Sequence, residues 1–265
     1  MPMVKMADGR IGDVSLIYDR LEEKDYGASG ILYQGHIDSF FKDSLETAFR
    51  NLWNIHPLGK AKRIFTAGTY VNKPGAHGKG RAFDLDGIEW LLKDNALFKW
   101  NAKQYQTPFQ RVHYYALYAH FRFFFGTVLG HEYNSAHEDH FHIDDTTPSG
   151  YKPLAKSDNT FIQASLFYVH GHQLEIDGVI GPSTRDAWES VMGSQEKIEA
   201  NFSQYLELTR RKGFLELKKH LTKNLESEET SETESKYKVI KEELDKLQKT
   251  LTEAKVSLER IQNLL

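Results

Sequence analysis

Two short stretches about sixty residues apart carry the chemistry of this chain: His77-Gly-Lys-Gly80-Arg-Ala82-Phe-Asp84 and His137-Glu-Asp139-His140-Phe-His142. Imidazole and carboxylate are the groups a catalytic divalent ion takes, usually three from the protein with a further position left for water. The chain has no cysteine, so disulfides and thiolate ligation are excluded and any ion must be held by nitrogen and oxygen. From Asp139 to Asp144 polar residues alternate with Phe141 and Ile143, which predicts a strand. A period of two puts His140, His142 and Asp144 on one face and Asp139, Phe141 and Ile143 on the other. His140 and His142 then face one cleft, and Asp139 joins them only where the backbone is irregular at the strand's start. Upstream, Gly78 and Gly80 permit a tight loop that turns His77 back towards Asp84, and Phe83-Asp84-Leu85-Asp86 alternates as a short strand should.

Taken together, these motifs resemble the signature of the zinc D-Ala-D-Ala carboxypeptidase and murein endopeptidase superfamily, and more closely its bacterial branch known as the extensin-like C-terminal domain. Gly68-Thr-Tyr70, the aromatic run Phe121-Arg-Phe-Phe-Phe125 and His137-Glu-Asp-His-Phe-His-Ile-Asp144 carry the closer likeness, over roughly residues 30 to 146. The resemblance implies that His77, Asp84 and His142 are ligands of Zn2+. It implies Asp139, three residues before the last ligand, as general base, with His137 and His140 lining the site and His140 orienting substrate or stabilising the oxyanion. Where the family has Ser two residues before the first ligand this chain has Gly75, and in place of an upstream Arg the nearest basic residue is Lys73, a point charge rather than a bidentate fork. The activity implied is zinc-dependent cleavage of peptidoglycan stem or cross-link peptides through a metal-activated water. The rival from another class is a non-catalytic wall-binding or scaffolding protein whose metal site is structural or degenerate.

Several elements must position these residues. Ile37, Phe40, Phe41, Leu45, Phe49, Leu52 and Trp53 recur at three and four, which predicts an amphipathic helix bracing the sheet. Phe109, Val112, Tyr115, Ala116, Ala119, Phe123 and Val128 predict a buried core helix over 109–129. Ahead of both, Val14-Ser-Leu-Ile-Tyr18 reads as a leading strand. His56, His113 and His120 are read as structural. The fold class expected is α+β: a small antiparallel sheet carrying the zinc site, braced by helices.

Past Asp145 the composition changes at Thr146-Thr-Pro-Ser-Gly150, a turn-forming linker. Beyond it, Ile176-Asp177-Gly178-Val-Ile-Gly181-Pro182-Ser-Thr184-Arg-Asp-Ala187-Trp188 looks like the core of a three-helix peptidoglycan-binding domain, spanning 158–194. Asp177-Gly178 predicts a turn, Pro182 sits at a helix start, and Ala187, Trp188 and Val191 supply one apolar face. Tethering such a module to a catalytic domain would raise the local concentration of wall substrate. Further on, Glu226 to Ser235 is acidic and free of apolar residues, a solvated linker. Tyr237, Ile240, Leu244, Leu247, Leu251, Ala254, Leu258, Ile261 and Leu265 then alternate at three and four, a coiled-coil seam of about four heptads that suits self-association or a partner helix.

The organisation expected is therefore an N-terminal extension (1–30), a peptidase-like domain (31–146), a linker (147–157), a wall-binding domain (158–194), connecting helices (195–225), an acidic linker (226–235) and a coiled-coil helix (236–265). A 265-residue chain that is 40% hydrophobic can bury one substantial core. Its net charge of −3 provides no basic field for nucleic acid. The first ten residues lack the about 7–15 apolar residues of a leader's central region, and no segment approaches the ~18 needed to span a bilayer. The expected place of action is the cell wall or periplasm, reached as a phage lysin, a non-classically secreted effector or a chain whose leader has been removed.

Overall fold

The computed structural model describes residues 2–18, 30–92, 95–193, 197–223 and 241–242. The acidic stretch 226–235 and the heptad seam, apart from Lys241 and Glu242, lie outside the described residues. The chain divides into two units, 1–217 and 218–265, and the first carries every strand among the described residues together with both motifs.

The centre of that first unit is a seven-stranded sheet. Strands β2 (Arg10–Ile11), β3 (Val14–Tyr18), β5 (Arg63–Gly68), β6 (Ala82–Leu91), β9 (Phe141–Asp144) and β8 (Thr127–Leu129) lie side by side in that order, and β7 (Leu97–Asn101) also pairs with β6. A separate two-stranded ribbon joins β1 (Met3–Lys5) to β4 (His36–Asp38). The sheet is thus larger than the small antiparallel one expected, and it is mixed, because β3 runs parallel to β5. The leading segment, read from sequence as an extension, builds that edge: Val14, Leu16 and Ile17 are buried there. Strand pairing is non-local, so the pattern of residues 14–18 announced a strand without its partner.

Helix α1 (Ser39–Ile55) buries Phe41, Leu45, Ala48, Phe49, Leu52 and Trp53 along one stripe. Its N-cap is Asp38, whose carboxylate accepts from the N–H groups of Phe40 and Phe41 at 3.1 Å. That cap starts the helix at Ser39, so Ile37 belongs to β4 and Phe40 points outward at 63% exposure instead of joining the apolar face. Helix α2 (Pro108–Phe124) starts at a capping box formed by Thr107 and Gln110, with Pro108 in the first turn. Every residue from His113 to Arg122 is buried, whereas Phe109 and Val112 at the start are half-buried and Phe123 at the end is exposed, contrary to the spacing's prediction. The helix stops at Phe124, and Val128 belongs to β8.

Period two divides β9 and the first residues of β6, up to the register shift against β5 near Asp86. Phe83, Leu85, Phe141 and Ile143 are fully buried on the face that meets the helices, where Phe49 packs against both Phe83 and Phe121, and Tyr118 against Phe141. Asp84, His142 and Asp144 take the other face.

Residues 146–217 continue the same compact unit. Helix α3 (Lys156–Tyr168) packs on α2, with Tyr118 stacked on Phe161 at 4.8 Å. Arg122 of α2 forks onto Asp158 of α3 through two bonds of 2.9 and 3.0 Å. Helix α4 (Pro182–Met192) starts at the expected proline and buries Thr184, Ala187 and Trp188. Residues 198–223 are helical. Among the described residues no helix is long and apolar enough to cross a membrane.

Candidate metal centre

The antiparallel register of β6 and β9 sets Asp84 directly opposite His142. Cross-strand neighbours on one face stand about 5 Å apart at Cβ, close enough for short polar side chains to meet. Asp84 Oδ1 and His142 Nδ1 are 3.1 Å apart. The third member arrives from a 3-10 turn, His77–Lys79, laid against β6. That turn closes on Gly80 at φ 66, where a Cβ would strike the Met3 side chain and stand 2.9 Å from the Asp38 amide. Only glycine satisfies both conditions, and the Gly80 carbonyl in turn accepts the Asp38 N–H at 3.0 Å. His77 Nε2 is delivered 3.1 Å from His142 Nδ1 and 3.2 Å from Asp84 Oδ1.

These three atoms form a nearly equilateral triangle, and among the described residues they are the group of donors able to hold one ion. A tetrahedral zinc with bonds of about 2.0–2.1 Å requires donors about 3.3–3.4 Å apart, within about 0.3 Å of what the triangle provides. The outward ring nitrogens fit the same purpose. His77 Nδ1–H donates to the Thr69 carbonyl at 2.5 Å, and His142 Nε2 meets Asp144 Oδ2 at 3.2 Å. Metal-binding imidazoles habitually spend their second N–H on a carbonyl or carboxylate in this way, which fixes the ring and raises its basicity. Asp144 is itself held, since its Oδ1 accepts from both the N–H and the hydroxyl of Thr146.

The electrostatics favour a cation. Burial works against charge on Asp84, but hydrogen bonds from His142 and His77 outweigh it and hold the carboxyl well below the usual carboxylate range. Burial likewise opposes a charged His142, yet the bonds and negative charge of Asp144 and Asp84 prevail and push it up to about 9. Surroundings that retain a proton so strongly are surroundings that reward a divalent ion in its place.

Beside the triangle stand His140 and His137, with Asp139 bonded to His140. The predicted strand from Asp139 begins two residues late, at Phe141, and residues 138–140 form bends. Asp139 therefore lies in the bend, outside the strand's alternation. Its Oδ1 accepts the Nδ1–H of His140 at 2.7 Å, and His140 Nε2 comes to 3.7 Å from Asp84 Oδ1. His137 ends a 3-10 turn (Ser135–His137), with Nδ1 2.6 Å from Asn134 Oδ1 and its ring 5.2 Å from that of His140. Burial, followed by the nearby His140 and His142, pushes His137 down to about 4. Lys73 is exposed in the loop ahead of His77.

Sequence reasoning gave no role to two participants. Asp144 shares the face of His142 two residues on, a signal that was present in the alternation. The Thr69 carbonyl has no such signal, because a backbone acceptor does not depend on residue type.

Residues 55–153 match the family model for the extensin-like protein C-terminus, a span that contains all three triangle residues together with Asp139 and His140. No curated protein and no solved structure matches the chain.

Proposed function

We propose that this chain is a metal-dependent peptidase, with zinc as its ion, acting on the stem or cross-link peptides of peptidoglycan. One observation carries the reading: His77 Nε2, Asp84 Oδ1 and His142 Nδ1 converge at 3.1–3.2 Å with both outer imidazole nitrogens already engaged. The likeness of its motifs to zinc carboxypeptidases and murein endopeptidases supplies the substrate class. When bound, zinc supplies Lewis acidity and water activation near neutral pH.

The chain's own residues supply the rest. The resemblance implies Asp139 as the base; in this reading its Oδ1 instead holds the Nδ1–H of His140, and His140 Nε2, 3.7 Å from Asp84 Oδ1, takes the proton. Asp139 then stabilises the imidazolium that forms, the role a carboxylate plays behind a general-base histidine. His137, kept neutral at pH 7 by its low pKa, offers a hydrogen bond to substrate instead of a charge. Lys73, exposed in the loop ahead of His77, contributes positive charge as an ammonium without the two-pronged grip of arginine. In this reading residues 158–194 grip the wall and hold the peptidase on its substrate.

Mass spectrometry of purified muropeptides incubated with the protein tests the proposal. Shortened peptides should appear, disappear with a chelator and return on adding zinc. Intact muropeptides after incubation with zinc-loaded protein would remove the peptidase reading and leave a wall-binding protein.

A further inference from the structure

His142 is oriented by a carboxylate, whereas His77 is oriented by a backbone carbonyl, so the angle of the His77 ring depends on what holds the Thr69 peptide. Strand β5 ends at Gly68 after two shifts of register against β6, and Thr69 lies just beyond it. Thr69 is nonetheless fully buried.

Its anchor is Tyr33. The Thr69 N–H donates to the Tyr33 hydroxyl oxygen at 2.8 Å. The Thr69 hydroxyl donates to the His36 carbonyl at 2.5 Å, because a carbonyl can only accept. That leaves Thr69 Oγ1 as the acceptor for the Tyr33 proton, over 2.8 Å. The phenol therefore grips Thr69 at two points, accepting from the amide and donating to the hydroxyl, and the Thr69 carbonyl is left aimed at His77 Nδ1. Tyr33 is itself fixed at the other end, where its N–H donates to the Leu16 carbonyl of β3 at 2.8 Å and its ring stacks on Tyr18. The hydroxyl fits only because residue 35 is glycine: a Cβ there would lie 2.1 Å from it.

We infer that Tyr33 is a positioning residue for the metal centre: its hydroxyl, by clamping Thr69, sets the orientation in which His77 presents Nε2 to the ion. The inference rests on the proposed metal site. It also extends that site beyond residues 55–153, the span of the family match, into the segment that joins β3 to β4.

Tyr33→Phe removes the hydroxyl and keeps the ring. Zinc affinity, measured on the full chain by competition with a chromophoric chelator, should fall by about tenfold, the lower end of what outer-shell changes cost. The visible absorption of the cobalt-substituted protein should change in position or intensity, a signature that a purely structural contact would not move. The melting temperature of the metal-free protein should drop but the transition remain cooperative, because the buried Thr69 N–H loses its acceptor. Should Tyr33→Phe fail to fold, Thr69→Val probes the same clamp from the other side and should weaken zinc in the same direction. Wild-type affinity together with an unchanged cobalt spectrum in a folded variant overturns the role of Tyr33 while sparing the metal reading. A wild-type protein that takes up neither ion overturns the metal reading and this inference with it.

Discussion

Asp84 and His142 face each other across the β6–β9 pair, and this single register contact brings the carboxylate of one motif to within 3.1 Å of the imidazole of the other. Asp84 supplies the only anionic donor of the triangle. Asp84→Ala should therefore weaken zinc by more than the about 10–100-fold that outer-shell substitutions cost. Isothermal titration of the chelator-stripped protein reads this directly, and an affinity within a few-fold of wild type would show that the triangle does not hold the ion.

In the proposed mechanism Asp139 acts through His140, whose Nδ1–H it accepts at 2.7 Å. Asp139→Asn keeps the shape and an acceptor for His140 Nδ1–H but removes the charge that stabilises an imidazolium. Peptide cleavage should slow by about 10²–10⁴-fold while zinc affinity changes little. The two readouts separate the roles, because a variant that loses zinc as well as activity would make Asp139 part of the metal-holding apparatus.

The parts of the site that sequence made legible are those in which residue type and local period carry the information. His77, Asp84 and His142 stood out as potential donors by residue type, alternation placed Asp84 and His142 on one face of their strands, and the family resemblance singled out the three together. Pro182 marked the start of α4 for an equally local reason. What sequence concealed was non-local or carried by backbone: the parallel seat of β3 beside β5, and the Thr69 carbonyl behind His77. The Asp177-Gly178 motif shows a different ambiguity. Asp177 Oδ1 accepts from the Val179 N–H at 2.8 Å and from the Gln163 amide at 2.7 Å, while Gln163 Oε1 accepts from the Gly178 N–H at 2.7 Å. Those residue types are accounted for by the turn they build, so the motif by itself does not tell a ligand-binding loop from a well-made one.

Arg122 and Asp158 form an ion pair with side chains only 1% and 2% exposed, joining α2 to α3. Arg122 also donates to the carbonyls of Phe125 and Gly150, and Asp158 accepts from the Lys152 N–H. Arg122→Met or Asp158→Leu alone strands the partner charge in the core and should cost about 3–5 kcal/mol. Combining them removes both charges and should recover part of that loss, though the two carbonyls and the amide stay unsatisfied. Urea unfolding of all four proteins measures the coupling. Single variants within about 1 kcal/mol of wild type would mean that water reaches the pair.

Acid should destabilise the fold mainly through buried histidines that lie away from the metal centre. The Leu58 N–H donates to His56 Nδ1, so neutral His56 carries its proton on Nε2 and gives it to His113 Nε2, 3.1 Å away. His120 donates from Nε2 to the Ala48 carbonyl and accepts from Arg210 at Nδ1. A further proton on any of these rings sets N–H against N–H. Burial accordingly pushes His113 and His120 down to about 3, and burial together with its histidine neighbours lowers His56 well below its ordinary value. His137 and His170, both pushed to about 4 chiefly by burial, act in the same direction. In the unfolded chain all five titrate near about 6.5. Below that pH the unfolded state binds protons the native state refuses, so stability drops as pH falls from about 6.5 towards 4, while above it both states are neutral and these groups contribute no slope. His142, raised to about 9, acts in the opposite window: it gives stability below about 6.5 that is lost as pH climbs towards 9. Urea midpoints of the chelator-treated protein should therefore decline on both sides of about pH 6.5. His113→Gln, which preserves an acceptor for His56, should flatten the acid limb and leave the alkaline limb unchanged; an acid limb as steep as that of wild type would show that the buried pair takes up its proton without unfolding.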